Sequence, residues 1–155
     1  MLGNATDPGT CPQLAPFAVS VQGDLLAVRE ALRRVMAGLA PLRLDVEERG
    51  TVELVLAEVL NNVVEHAYPD TLEEAVIDVA CDQRADGLHV LIRDRGRPMQ
   101  GEQLPHITAA PADPAGQEMP EGGFGWWIID SLTRDLHYCR SGDENRLSFR
   151  IAILR

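Results

Sequence analysis

The sequence predicts an α+β fold, a two-layer sandwich in which helices cover one face of a mixed, mainly antiparallel sheet. Two long stretches carry apolar residues three and four apart, the period of a helix packed on one side. Several short stretches alternate apolar and polar residues, the period of a strand with one buried face. Successive alternating stretches are joined by turns too short for a crossover, so neighbours pair antiparallel. The resulting order is β-α-α-β-β-loop-α-β-β.

Residues 17–22 (FAVSVQ) alternate as a strand. Asp24 follows a glycine and is a helix N-cap for a helix running to about residue 38, with Leu25, Val28, Leu32, Val35, Met36 and Leu39 on one face. Asp45 caps a second helix reaching about Tyr68, where Pro69-Asp70 ends it. Its core face holds Val52, Val55, Leu56, Val59, Leu60 and Val63. Two strands follow at residues 75–81 and 88–93, and Asp86-Gly87 between them is a hairpin signal. Residues 94–98 read DRGRP, a turn. The stretch 99–121 has little periodicity, and a loop of that length inside a compact domain is functional or disordered. Gly122-Gly123-Phe124-Gly125 then precedes a helical stretch, WWIIDSLTRD, with one of Trp126 and Trp127 expected in the core. Strands at 135–140 and 146–154, joined around Ser141-Gly142-Asp143, close the chain.

A length of 155 residues suits a single domain at 17–155, preceded by a loose tail at 1–16 rich in Pro, Gly and Thr. With 45 % hydrophobic and 25 % charged residues the chain has a globular composition. A net charge of −10 opposes binding to nucleic acid or to anionic membranes, since both need Lys and Arg to meet phosphates. No apolar run approaches the ~20 residues of a membrane helix. Cys11, Cys81 and Cys139 are far apart with no CxxC, so reduced thiols and a cytoplasmic setting are expected.

Three segments carry chemistry. Glu58, Asn62 and His66 are four residues apart and form a stripe beside the apolar face of the second helix. An amide oxygen there suits Mg²⁺ shared with substrate phosphates, and a carboxylate one turn earlier can take a proton from a hydroxyl or water. The same spacing also fits the polar edge of an ordinary amphipathic helix. Asp94 in DRGRP is an acceptor for an exocyclic amine such as that of adenine, and Gly96 lets a ligand approach the backbone; an ordinary Asp-Gly turn reads identically. Glycines at a helix start expose N–H groups to anions such as phosphates, although a lone cluster is equally a flexible loop.

Taken together in this order, the segments resemble the Bergerat-fold (GHKL) ATP-binding superfamily. LAEVLNNVVEHAY resembles its first box, DRGRP its DxGxP box and GGFGWWIID its second glycine box. The short length, HAY after the first box and the ending DLHYCRSGDENRLSFRI resemble the bacterial anti-sigma-factor serine/threonine-protein kinases of partner-switching modules. The resemblance implies a Bergerat-type sandwich with ATP and Mg²⁺ as ligands. Glu58 would be the catalytic base and Asn62 the Mg²⁺ ligand. Asp94 would read the adenine amine and Gly96 line the base pocket. Gly122, Gly123, Phe124 and Gly125 would meet the phosphates under a lid at about 99–121, and His66 would have a supporting role. It further implies an anti-anti-sigma antagonist protein as substrate and a sigma factor or other regulatory target as partner. Relatives use the region of Arg29, Arg33 and Arg34 for dimer or partner contacts, which allows a homodimer.

The chain departs from that pattern in two places. The lid has no Lys or Arg, so Arg95, Arg97 or Arg134 would have to stand in beside the transferring phosphoryl group. Where many Bergerat ATPases have a Thr in a late strand, this chain has Asn145-Arg146-Leu147. The sequence therefore supports two function classes: a kinase, or a nucleotide-binding switch that sequesters partners without phosphoryl transfer. A third reading, the ATPase part of a histidine kinase, lacks a helix pair bearing a phosphoacceptor His.

Overall fold

The computed structural model of the chain describes residues 14–22, 24–68, 75–105 and 123–155. Five strands form one sheet: β1 (Phe17–Gln22), β2 (Val76–Arg84), β3 (Gly87–Asp94), β4 (Arg134–Ser141) and β5 (Glu144–Ile151), in the order β1-β2-β3-β5-β4. Every pairing among the described strands is antiparallel, so the sheet is antiparallel throughout where a mixed one was expected. Short turns are the cause for β2–β3 and β4–β5, since a two-residue connection cannot return a strand in parallel. At the β2–β3 turn Gly87 has φ of +137°, and a Cβ there would lie 2.5 Å from the carbonyl oxygen of Ile151. Both facts make glycine the residue that fits.

Helices α1 (Leu25–Gly38), α2 (Val46–Asn62) and α3 (Gly123–Leu132) pack on one face of this sheet. That face carries the buried alternate residues Val19, Val21, Ile77, Val79, Cys81, Val90, Ile92, Leu147, Phe149 and Ile151. It receives Val52, Val55, Leu56, Val59 and Leu60 from α2 and Val63 from the turn that follows, all six expected from their spacing. The core is thus a single layer between sheet and helices. Leu14, within the expected tail, already packs against it. Trp126 is buried at 7 % exposure, and Trp127 is half-buried against Phe124 with ring centroids 5.9 Å apart.

Both expected caps are present. Asp24 Oδ1 accepts from the Ala27 amide at 2.6 Å. Asp45 accepts from the Glu48 amide at 2.8 Å while the Asp45 amide donates to Glu48 Oε2 at 3.0 Å, a reciprocal capping box. The end of this helix differs from expectation. The α-helical ladder stops at Asn62, and Val63–Ala67 form a π-helical turn. A turn closed by i→i+5 bonds holds one residue more than an α-turn. The β5 strand also ends earlier than expected, at Ile151, and α3 begins earlier, at Gly123.

Candidate functional site

Two clusters of side chains flank the C-terminal end of α2 and the turn after it, one facing α3 and the other at the end of β3. The first lies between α2 and α3. Glu58 and Asn62 are both half-buried one turn apart on α2. A Cβ on Gly125 would lie 2.8 Å from Glu58 Oε2 and 3.8 Å from Asn62 Nδ2, so both side chains face the first turn of α3. Asn62 Nδ2 is buried and has no hydrogen-bond partner. A buried amide nitrogen left unpaired costs about 1–3 kcal/mol, so Asn62 Nδ2 has donor capacity that the protein does not use. The amide can present oxygen or nitrogen by rotating about its last bond, so the same position fits a hard cation. Among the described residues no three His, Cys, Asp or Glu side chains cluster as a metal site.

Gly123, Phe124 and Gly125 form the first turn of α3, whereas a loop before the helix was expected. The change keeps their chemistry, because the first N–H groups of a helix have no intrahelical acceptor and the dipole there favours anions. Phe124 is 50 % exposed. Gly122 and most of the expected lid lie outside the described residues.

His66 does not continue the Glu58–Asn62 stripe. The π-turn inserts one residue, so Ala67 takes the place that His66 would hold in a straight α-helix. His66 is exposed and Ala67 buried.

The second cluster surrounds Asp94, the last residue of β3, which is buried at 6 % exposure. Its Oδ1 accepts from the Gly96 amide at 2.9 Å and from Asn145 Nδ2 at 2.8 Å. Asn145 is its cross-strand partner on β5. Burial pushes the Asp94 carboxyl above its ordinary pKa, and the bonds from Asn145 and Gly96 work against that shift. Both protein donors use one oxygen, and among the described residues none donates to Oδ2.

The turn after Asp94 is clamped from two sides. From the end of α2, Tyr68 Oη accepts from the Arg95 amide at 2.8 Å and the Ala67 carbonyl accepts from the Arg97 amide at 2.9 Å. A Cβ on Gly96 would lie 2.4 Å from the Ala67 oxygen. The close neighbour of Gly96 is therefore the helix backbone, where a ligand was expected. From the sheet, Arg140 Nη1 donates to the Gly96 carbonyl at 2.7 Å and Tyr138 Oη accepts from the Met99 amide at 3.1 Å. A cavity of about 1040 Å³ opens beside this turn, lined among others by Tyr68, Asp78, Arg93, Asp94, Gly96 and Arg140. Its walls do not include Glu58, Asn62 or Gly125, so it reaches the Asp94 side of the site only.

Of the cations considered as substitutes in the lid, Arg95, Arg97 and Arg134 are all exposed. Arg134 donates to the Thr133 carbonyl at 2.9 Å, on the strand leaving α3. Tyr68, Tyr138 and Arg140 were not singled out by sequence reasoning. Tyr138 and Arg140 are two apart on β4 and so share a face, a signal that strand alternation does provide.

No protein of curated function matches this sequence. The fold is similar to a chain whose crystal structure contains the RsbU and RsbW domains of Rv1364c from Mycobacterium tuberculosis, with a TM-score of 0.60 and 16 % identity. That match covers 88 % of this chain and 32 % of the other, so this chain spans about a third of the protein it resembles. A histidine kinase domain of the blue-light activated histidine kinase from Erythrobacter litoralis EL346 aligns at a TM-score of 0.49 and 19 % identity, over 81 % of this chain and 61 % of that one. Residues 21–151 match the histidine kinase-like ATPase domain as a family. The three motifs, the antiparallel sheet with its helices on one face and this match agree: the chain belongs to the histidine kinase-like ATPase domain family.

Proposed function

We propose that the protein is an ATP- and Mg²⁺-dependent serine/threonine-protein kinase acting as an anti-sigma factor or partner-switch regulator. Its substrate would be a serine or threonine hydroxyl on an anti-anti-sigma antagonist protein, and phosphorylation would free it to hold a sigma factor or another regulatory target. The observation that carries the reading is the buried, unpartnered Asn62 amide beside Glu58 and the first turn of α3. Family membership and the base-side carboxylate of Asp94 support it.

Asp94 accepts from the adenine amine through Oδ2. The N–H groups at the start of α3 would face the phosphates, and Asn62 would hold Mg²⁺, which would supply neutralisation of phosphate charge. Glu58 takes the proton from the attacking hydroxyl. The bond from that oxygen to the γ-phosphorus forms as the bond to the β-phosphate oxygen breaks, leaving ADP. The decisive assay is transfer of labelled phosphate to a purified antagonist. Glu58→Gln should abolish transfer while leaving ATP affinity within a few-fold, and undiminished transfer would remove Glu58 as the base.

A second reading has its own observation: residues 99–121 contain no Lys or Arg. A switch that binds nucleotide and sequesters partners needs no such cation. Tight, nucleotide-dependent complex formation with no phosphorylated antagonist under Mg·ATP would favour it. Autophosphorylation on His would instead place the chain with the histidine kinases.

A further inference from the structure

The amide of Asn145 sits at the centre of the base side of the site and has all of its hydrogen-bonding capacity in use. Its oxygen accepts from Tyr138 Oη at 2.6 Å and from Arg140 Nη1 at 2.9 Å. Arginine cannot accept a hydrogen bond, so the oxygen must face it and the amide orientation is fixed. The nitrogen is thereby turned towards three acceptors: Asp94 Oδ1 at 2.8 Å, the Arg97 carbonyl at 2.9 Å and the Gly96 carbonyl at 3.3 Å. Tyr138 Oη gives its proton to Asn145 and accepts from the Met99 amide at 3.1 Å. Asn145 is 4 % exposed and Tyr138 7 % exposed, so water does not replace either partner.

We propose that Asn145 and Tyr138 are positioning residues for base recognition. They commit one oxygen of Asp94 to the protein, leave the other for an exocyclic amine, and tie that carboxylate to Met99, where the segment after the DRGRP turn begins. The inference rests on the ATP-binding reading and extends it to base specificity. A side chain that both donates and accepts is required at residue 145. Asp cannot donate to Asp94, and Ala does neither. Without Asn145, Oδ1 keeps only the Gly96 amide as donor, so the Asp94 carboxylate is held less firmly and no longer presents a single acceptor. A purine with a 6-oxo group, which offers an acceptor where adenine offers a donor, is then rejected less strongly.

The test is calorimetric titration of the full chain with Mg·ATP and Mg·GTP, for wild type, Asn145→Ala and Tyr138→Phe, with amide exchange at Met99 followed in parallel. Wild type should prefer ATP. In Asn145→Ala the ATP-to-GTP affinity ratio should fall roughly tenfold or more, because a hydrogen bond to a charged group is lost. In Tyr138→Phe, a near-isosteric change that preserves packing, the ratio should fall roughly threefold and Met99 exchange should quicken. A merely structural role would weaken both nucleotides alike and leave the ratio unmoved. Unchanged ratios in folded variants overturn the proposal alone, and Tyr138→Phe decides if Asn145→Ala does not fold. A wild type that binds neither nucleotide overturns this proposal together with the ATP-binding reading.

Discussion

Around Asp94 each backbone N–H between Arg95 and Met99 has a protein acceptor, with Pro98 carrying none, whereas around Asn62 a buried amide nitrogen has no partner. The turn's backbone donors are all engaged without a ligand, and the Asn62 amide nitrogen is not. The difference separates two kinds of binding. A turn whose donors and acceptors are already engaged loses little freedom when a base arrives, so recognition there is pre-organised. A site with an unsatisfied buried group gains most when the ligand supplies the missing partner. On the proposed reading, adenine would meet a rigid mould, and the phosphates with their cation would complete an unfinished one.

Substitutions can break this contrast. The largest effect is expected from Gly96→Ala, whose Cβ would strike the Ala67 backbone on the rigid side. Overpacking of this kind costs about 1–3 kcal/mol, so thermal unfolding should shift clearly downward and ATP binding should be lost with it. Next, Asp94→Asn replaces an acceptor by a group that donates towards the amine. ATP affinity measured by calorimetry should fall about 10- to 100-fold with little change in unfolding temperature. A smaller effect of opposite sign is expected from Asn62→Ala. Removing an unpaired buried group should leave apo stability unchanged or raise it by about 1 kcal/mol, while the Mg²⁺-dependence of ATP binding disappears. Destabilisation of the apo protein by that change would mean that Asn62 is already satisfied. The smallest effect on stability is expected from Gly125→Ala, because the one tight contact of its Cβ is the far end of the flexible Glu58 side chain, with Asn62 at ordinary van der Waals distance. Unfolding should move by less than ~0.5 kcal/mol, as at an ordinary surface position, while phosphoryl transfer suffers from a displaced Glu58.

Acidification sharpens the same contrast. Burial holds the Asp94 carboxyl above its ordinary pKa of 3.8. The folded state therefore binds a proton more readily than the unfolded chain, and the share of apo stability owed to this group rises as pH falls through that range. ATP affinity moves the other way, because the protonated form is a poorer acceptor for the amine. A titration at successive pH values should show affinity falling on acidification at a higher pH than an ordinary aspartate would give. At the alkaline end, burial pushes the Cys81 thiol up to about 12. An unfolded thiol ionises near 9, so stability should decline as pH rises between those values.

The parts legible in the sequence are those governed by neighbours along the chain. The caps at Asp24 and Asp45, the core face of α2 and the Asp86-Gly87 turn follow from spacings of a few residues, and all are present. The three motifs were visible for the same reason. What could not be read depends on partners far apart in sequence. Asn145 meets Asp94 across 51 residues, and Tyr138 meets Met99 across 39. Only the strand register brings them together, and no local pattern encodes that register. The exposure of His66 was also hidden, because an α-helical wheel assumes an unbroken 3.6-residue period.

That π-turn bears on how this chain is compared with its relatives. Residues 63–67 behave as an insertion that adds phase without adding a loop. In an α-helix that continued undisturbed, the residue four past Asn62 would hold the place that Ala67 holds here, against Gly96. In this chain the same count arrives at His66, and the spatial equivalent is Ala67. Counting along the chain alone would pick the solvent-facing His66 in place of the buried Ala67. The equivalence of residues here is set by shape and not by arithmetic.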